Sequence, residues 1–497
     1  MFVYFWFEQK NYKKQIISSR VMVKIIGKIP IQQSAENKVT EDLKIEEFAW
    51  DSQFYKQSPK KITASNLMIG FWEMQGKGKN SLRNWAIESG MLLDEAISIS
   101  KQAIDIRLND NCLKMSKLVL SSALNLKYFE AKEKLENSKE LEEVYSLFIP
   151  IAIGSILLQD STVQSLPPKL CEEFPASHTK GKQAAMLRLQ AIFDLTNMVW
   201  LYFFIGSFRD NDQSQSKLIE KVVQKNDLLL RDLGYFTLNS LQLFIKNQYV
   251  ITKWDNKTNL YYDQTCSEYQ KGEKIDLLKL FKGKTKVDID VQVGSKKRLS
   301  MRLVAKKLPI PIAIGTQAKA RIEAAKKDRH SKSNHSKEYY KLLEWEIYLT
   351  NVEEDKLSVE QIAKLYSLRW YIEILFKSWK SYANFKKMLG KEKMNYTRLM
   401  ITIYLLLIQF VYFMLDIFSY ISKKVAEQTD RLISILKFMD VVGDLFGYII
   451  RIQKLSDLDN LIPQFVAHAT YERRNKRTNM MQKCLFFNDL CDFSFSP

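Results

Sequence analysis

Histidine and cysteine are scarce in this chain of 497 residues, which holds four of the first and five of the second. The cysteines (Cys112, Cys171, Cys266, Cys484 and Cys491) are odd in number, scattered, and form no CxxC pair. A disulfide scaffold and a structural zinc site are therefore not expected, and a reducing compartment is. With 16 glycines and 10 prolines, the fibrous and low-complexity classes are excluded. The start, MFVYFWFEQKNYKK, lacks a basic leading region and a small-residue cleavage site, and its apolar run stops at Glu8, so no signal peptide is expected. Met22 is an alternative start, with residues 1–21 as an upstream extension. Long hydrophobic runs are nearly missing as well. Leu399 to Leu415 is uncharged over 17 residues, the short limit for crossing a bilayer, but it contains Gln409 and is followed by Asp416. A buried helix in a large helical domain is the expectation, with no membrane as partner.

What is present is a globular composition, 46% hydrophobic and 26% charged, in a chain long enough for two to four domains. Lys and Arg number 75 against 56 Asp and Glu, a net charge of +19 that favours a polyanionic partner, either nucleic acid or an anionic membrane surface. The excess is concentrated. Between Lys271 and Glu344 there are 20 Lys/Arg and 8 Asp/Glu, a net of +12, which reads as a segment facing a polyphosphate. Its most polar part, Lys319 to Lys341, is expected to be mobile in isolation.

Along the chain the hydrophobic period changes. Residues 22–60 read as a loosely packed lead-in, and residues 66–136 as helical. Within the latter, SLRNWAIESGMLLDEAISISKQAIDIRL reads as helix, turn, helix, with Gly90 near the first end and Ser100 as an N-cap. Either a DNA-entering helix-turn-helix or an ordinary helical hairpin fits. Between 147 and 250, SILLQDST, MLRLQAIFDL and MVWLYFFIGSF are strands. NDQSQSKLIEKVVQ is a helix, NDLLLRDLGYF a short buried strand turning at Gly234, and LNSLQLFIKN a helix. This is an α/β pattern with a mixed sheet. KVDIDVQVG and LSMRLVAKKLP are further strands, and so is WEIYLTNV. A long helix follows from Ser358 to Phe385, and the chain is helical from about Asn395 to a basic stretch at Arg473, Arg474, Lys476 and Arg477.

On the long helix, Tyr366, Arg369, Glu373, Lys377 and Lys380 fall within a sector of roughly 80° at about 100° per residue. An adjoining face of Leu365, Leu368, Ile372, Leu375 and Trp379 would seat the helix on a sheet. An exposed face of i,i+4 ion pairs would look similar. The spacing is more specific: Y-x2-R-x3-E-x6-K is complete as Tyr366, Arg369, Glu373 and Lys380. With QDST at 159–162 and RDLGYF at 231–236 in order before it, the chain over about residues 60–415 resembles the DDE transposases of bacterial insertion sequences, specifically the insertion-sequence-four group. FPASH and WEIYLTN also stand where that family has similar stretches.

The resemblance implies a ribonuclease-H-like mixed-sheet catalytic core, interrupted by a β-rich insertion, with helical N- and C-terminal domains. Its bounds would be a lead-in at 1–60, a helical DNA-binding domain at 61–140, core at 145–250, basic insertion at 251–343, core at 344–395, and a helical dimerisation domain at 396–497. Asp160, Asp232 and Glu373 would hold two Mg2+ or Mn2+ ions, because in-line phosphodiester cleavage needs paired cations and hard cations take oxygen ligands. Asp194, Asp210 and Asp212 compete for the first position but lack the D-S-T context. The resemblance assigns Tyr366, Arg369 and Lys380 to the DNA backbone and Trp345, 28 residues before Glu373, to stacking on a flipped base. Lys253 stands in YVITKW where an arginine is usual, and Arg and Lys bind phosphate differently. The implied activity is cut-and-paste transposition: binding of terminal inverted repeats, metal-dependent cleavage at the ends, a hairpin, and transfer of the 3′-hydroxyl strand to target DNA. It would be performed by a homodimer on double-stranded DNA in the bacterial cytoplasm, at the nucleoid. The alternative is a catalytically inactive DNA-binding descendant of such an enzyme.

Overall fold

The structure, a computed structural model, describes residues 35–92, 98–136, 153–176, 184–265, 268–328, 335–381, 385–389, 394–429, 431–449 and 455–471. The possible start at Met22, the basic stretch Arg473–Arg477 and part of FPASH lie outside them. The described residues form two compact units: one from those within 35–136, 161–211 and 371–471, the other from those within 153–160 and 212–370. The class is mixed α/β with helical terminal regions, as expected.

The first unit is built on helices. The lead-in is more ordered than its composition suggests: Ala35–Asp42 and Ile45–Asp51 are helices. Glu46 fixes the second by accepting from the Ser65 backbone N–H and hydroxyl and from the Tyr55 hydroxyl. Helix α1 (Ala64–Gly76) starts at a Thr63–Asn66 capping box and α2 (Leu82–Met91) at Ser81. They touch closely at Gly70, where an added Cβ would lie 2.7 Å from the Ser89 backbone nitrogen. Ser100 caps Lys101–Arg107, and α3 (Asp110–Glu136) follows.

The uncharged run lies in α8 (Tyr396–Gln409), a π-helical turn at Phe410–Met414, and α9 (Leu415–Gln428). This stretch is long and apolar enough to span a membrane, yet 78% of its most apolar window is buried inside the protein. Two of its polar groups are answered there: the Leu405 carbonyl accepts from the Trp72 indole at 2.9 Å, and the Gln409 amide donates to Gln75 at 2.9 Å. That is the behaviour of a core helix.

The same unit holds the antiparallel pair β2 (Ala185–Asp194) and β3 (Val199–Ser207), next to the last residues of β1 (Ile156–Leu166). Phe193 and Trp200 of this pair meet Tyr371, Phe376 and Trp379. Trp379 in turn stacks on Phe410 at 4.6 Å. These rings seat α7 (Trp370–Ser381) on the pair; of the apolar face expected for it Trp379 makes this contact, joined by Tyr371 and Phe376 from outside that face.

The second unit carries the first residues of β1, then β4 (Leu228–Arg231) and β5 (Tyr249–Lys253), all parallel. Beyond β5 the order is β9 (Trp345–Thr350), β8 (Leu299–Lys307), β7 (Lys286–Val293) and β6 (Leu260–Tyr262), each antiparallel to its neighbour. The strands of the basic segment therefore extend the sheet from β5 through β9 instead of forming a sheet of their own. Gly294, at φ +98, turns the chain after β7. The segment is also less β-rich than expected: Ile310–Asp328 forms α5 and Lys337–Leu342 a further short helix.

Arg302 of β8 fastens this hairpin. Its guanidinium pairs with Asp288 of β7 and donates to the carbonyls of Val352, Glu353 and Leu357. Arg302 is 5% exposed, so Arg302→Met strands an acidic partner and three carbonyls. The expected loss is about 3 kcal/mol, read as a fall of several degrees in the melting of this unit. The double variant with Asp288→Asn should recover part of it.

Two expected helices differ. NDQSQSKLIEKVVQ forms only a 3-10 turn at Leu218–Lys221, because side chains claim its carbonyls: Gln159 donates to Gln215 and Arg231 to Ser216. The long helix after Ser358 is two, α6 (Val359–Ser367) and α7, parted at Leu368 and Arg369. There the backbone tightens to i,i+3 bonds, Leu368 to Leu365 and Arg369 to Tyr366, while the Ser367 hydroxyl bonds back to Lys364.

Candidate active site

β1 and β4 run parallel with Gln159 opposite Arg231. An aspartate follows each of these two residues: Asp160 lies within β1, which runs on to Leu166 and does not end at the aspartate, and Asp232 stands just past the end of β4. Successive residues of extended chain point to opposite faces, and Asp232 keeps an extended backbone (φ −68, ψ 159) before the 3-10 turn Leu233–Tyr235. Gln159 and Arg231 thus face one way, and Asp160 and Asp232 the other.

The two carboxylates are bridged. One Arg369 Nη is 3.4 Å from Asp160 Oδ2 and the other 3.8 Å from Asp232 Oδ1. Arg369 stands at the break between α6 and α7. Asp160 and Arg369 are nearly buried, each with 12% side-chain exposure, whereas Asp232 is 47% exposed. The site is closed on the β1 side and open on the β4 side.

Tyr366 lies behind Asp232. It is buried, and its hydroxyl donates to the Arg231 carbonyl at 3.3 Å. Burial pushes its phenol pKa up, against the pull of the Arg369 charge, so it stays neutral. The exposed Lys253 places its ammonium 5.8 Å from the Tyr366 ring centre. Trp345 is half-buried at the start of β9 and stacked on Phe281, with ring centres 4.3 Å apart. Glu373 and Lys380 are half-buried on the part of α7 that belongs to the first unit, and burial lowers the Lys380 pKa. Lys377 is exposed.

Two of the competing carboxylates are engaged elsewhere. Asp194 accepts from the backbone and side-chain amides of Asn197, and Asp210 from the backbone N–H and hydroxyl of Ser207, both closing turns. Asp212 lies against Gly234, where an added Cβ would come within 2.9 Å of its Oδ2.

Sequence reasoning overlooks Gln159 and Arg231. Arg231 is 3% exposed and donates to Gln159 Oε1 at 3.3 Å, the Ser216 carbonyl at 2.8 Å and Ser240 Oγ at 3.0 Å. Burial brings its pKa down to about 10, so it remains charged near neutrality. The signal was present in ILLQD and LLLRD: one polar residue in an otherwise apolar strand, just ahead of each aspartate.

Among the described residues no three His, Cys, Asp or Glu side chains gather closely enough to hold a metal ion. The aspartate pair nevertheless suits one. Its donors are hard oxygens, and a cation, the Arg369 guanidinium, already lies across both. Such donors fit magnesium or manganese better than zinc.

Residues 152–408 match the family described as the transposase DDE domain. The chain is 27% identical over 356 residues to the transposase for insertion sequence element IS1151 of Clostridium perfringens, covering 68% of this chain and 70% of that protein. It is 27% identical over 368 residues to the transposase for insertion sequence element IS231F of Bacillus thuringiensis subsp. israelensis, covering 71% and 73%. A cryo-EM structure of the piggyBac transposase synaptic complex with hairpin DNA aligns over 94% of this chain and 88% of its own, at 10% identity and a TM-score of 0.36, a likeness too slight to carry weight. The family match takes in Asp160, Asp232, Arg369 and Glu373 and more than half the sequence, and on it the chain belongs to the transposase DDE domain family.

Proposed function

We propose that this chain cuts and joins DNA at the ends of an insertion sequence, by metal-dependent hydrolysis that frees a 3′-hydroxyl and by transfer of that strand to target DNA. The observation that carries the reading is the side-by-side pair of Asp160, within β1, and Asp232, just past the end of the parallel neighbour β4, spanned by one guanidinium. Asp160, Asp232 and Glu373 would hold two Mg2+ or Mn2+ ions. Bound there, such ions supply an activated water or 3′-hydroxyl and stabilise the leaving oxygen.

The chain's own side chains do the rest. Arg369 shields the aspartates from each other's charge, and on DNA it exchanges them for a backbone phosphate. Lys253 and Lys380 are further phosphate contacts, and Tyr366 fixes the strand end behind Asp232. Trp345, backed by Phe281, offers an aromatic surface to an unstacked base at the hairpin step. The helical N-terminal region would read the terminal inverted repeats, and the C-terminal helices would join two copies so that both ends are held. The protein would act as a homodimer on double-stranded DNA in the bacterial cytoplasm, at the nucleoid. An inactive DNA-binding descendant would have no need of the intact aspartate pair.

The test is a duplex carrying the inverted repeat that flanks the gene. The protein should nick it at the repeat's edge in Mg2+, leaving a 3′-hydroxyl, and leave it intact in EDTA. Binding without nicking in either Mg2+ or Mn2+ would leave the DNA-binding descendant as the better reading.

A further inference from the structure

We propose that Arg231 and Gln159 are positioning residues for the aspartate pair, setting how Asp160 and Asp232 are held relative to each other and so how tightly a divalent cation is bound. This rests on the reading of the pair as a cation site. β4 is four residues long, and Gln159–Arg231 is the last pair of its ladder to β1, so Asp232 stands just past the paired strand. The buried guanidinium adds side-chain bonds at that last pair: it joins Gln159 of β1, the Ser216 carbonyl, and Ser240 of the helix α4 (Leu238–Phe244), and lies 4.9 Å from the Phe244 ring centre. Gln159 adds its own bond to the Gln215 carbonyl, at 3.2 Å.

A guanidinium is costly to bury, and the partners of Arg231 among the described residues are a carboxamide, a carbonyl and a hydroxyl, all neutral. A long apolar side chain would fill the same space without that cost. The charge is explained if it acts on the carboxylates one residue away. It stays in place when Arg369 leaves for a phosphate, and it keeps two neighbouring anions tolerable.

The experiment is Mn2+ binding to the full chain without DNA, followed by electron paramagnetic resonance well below the melting temperature, with melting recorded alongside. Groups that orient metal ligands typically contribute 10–100-fold in affinity. Gln159→Met and Arg231→Met should weaken Mn2+ about tenfold, and Arg231→Lys, which keeps the charge and part of the bonding, by less. Asp160→Asn should abolish binding. Lowered melting with wild-type Mn2+ affinity in Gln159→Met would overturn the positioning role, and this milder variant decides the matter should Arg231→Met fail to fold. If Asp160→Asn binds Mn2+ as the wild type does, the cation-site reading itself fails and takes this inference with it.

Discussion

Asp160→Asn and Asp232→Asn should each lower cleavage of an end duplex by about a thousandfold or more while leaving its binding intact. Asparagine keeps the shape of each side chain and removes the charge that a divalent cation requires. The fold should tolerate both changes. Asp232 is half exposed, and its contact with Arg369 is the longer one at 3.8 Å. Asp160→Asn removes the closer partner but leaves the guanidinium its second carboxylate. Binding should be spared because Arg369, held less firmly by one aspartate than by two, is freer to meet phosphate. Single-turnover nicking with a parallel mobility-shift titration separates the two effects. Loss of binding together with cleavage would mean that the aspartates build the DNA surface and do no chemistry.

Arg369→Ala should weaken binding of the ends and flatten the plot of log affinity against log salt by about one unit, the signature of one lost phosphate contact. Lys380→Ala should do the same, and Glu373→Gln neither. The structure adds a condition for Arg369. Its guanidinium lies on Asp160 and Asp232, so it cannot serve the DNA until it leaves them. The effect of Arg369→Ala should therefore be larger in Ca2+ than in EDTA, where the aspartates retain the arginine. A wild-type slope for Arg369→Ala in Ca2+ would show that the arginine never leaves the carboxylates and that its place in the signature is architectural.

Most strands were legible because they are short apolar or alternating runs, but β5 and β6 were not read as strands, and β1 runs on to Leu166 past Asp160, where its apolar run stops. The helix after Ser358 was misread because its apolar period continues without interruption through Leu368. Nothing in that pattern marks a tightening of the backbone to i,i+3 bonds at Leu368 and Arg369. The segment 211–224 was misread for a related reason. It has helical composition, but Arg231 and Gln159, close to it in space and distant in sequence, take its carbonyls. Pairing across the basic segment was hidden too, since alternation in KVDIDVQVG shows a strand and not which neighbour it will find. Long-range partners decided each of these points, and local pattern carries no record of them.

The central claim is that Asp160, Asp232 and Glu373 hold metal together, and iron-directed self-cleavage tests it without DNA or turnover. Fe2+ substituted for Mg2+, with ascorbate and peroxide, releases hydroxyl radicals that cut the backbone beside the ligands. The account predicts cuts near residues 160, 232 and 373, all three suppressed by excess Mg2+ and all three lost in Asp160→Asn. Cuts at 160 and 232 without one at 373, or cuts that persist in Asp160→Asn, would contradict it.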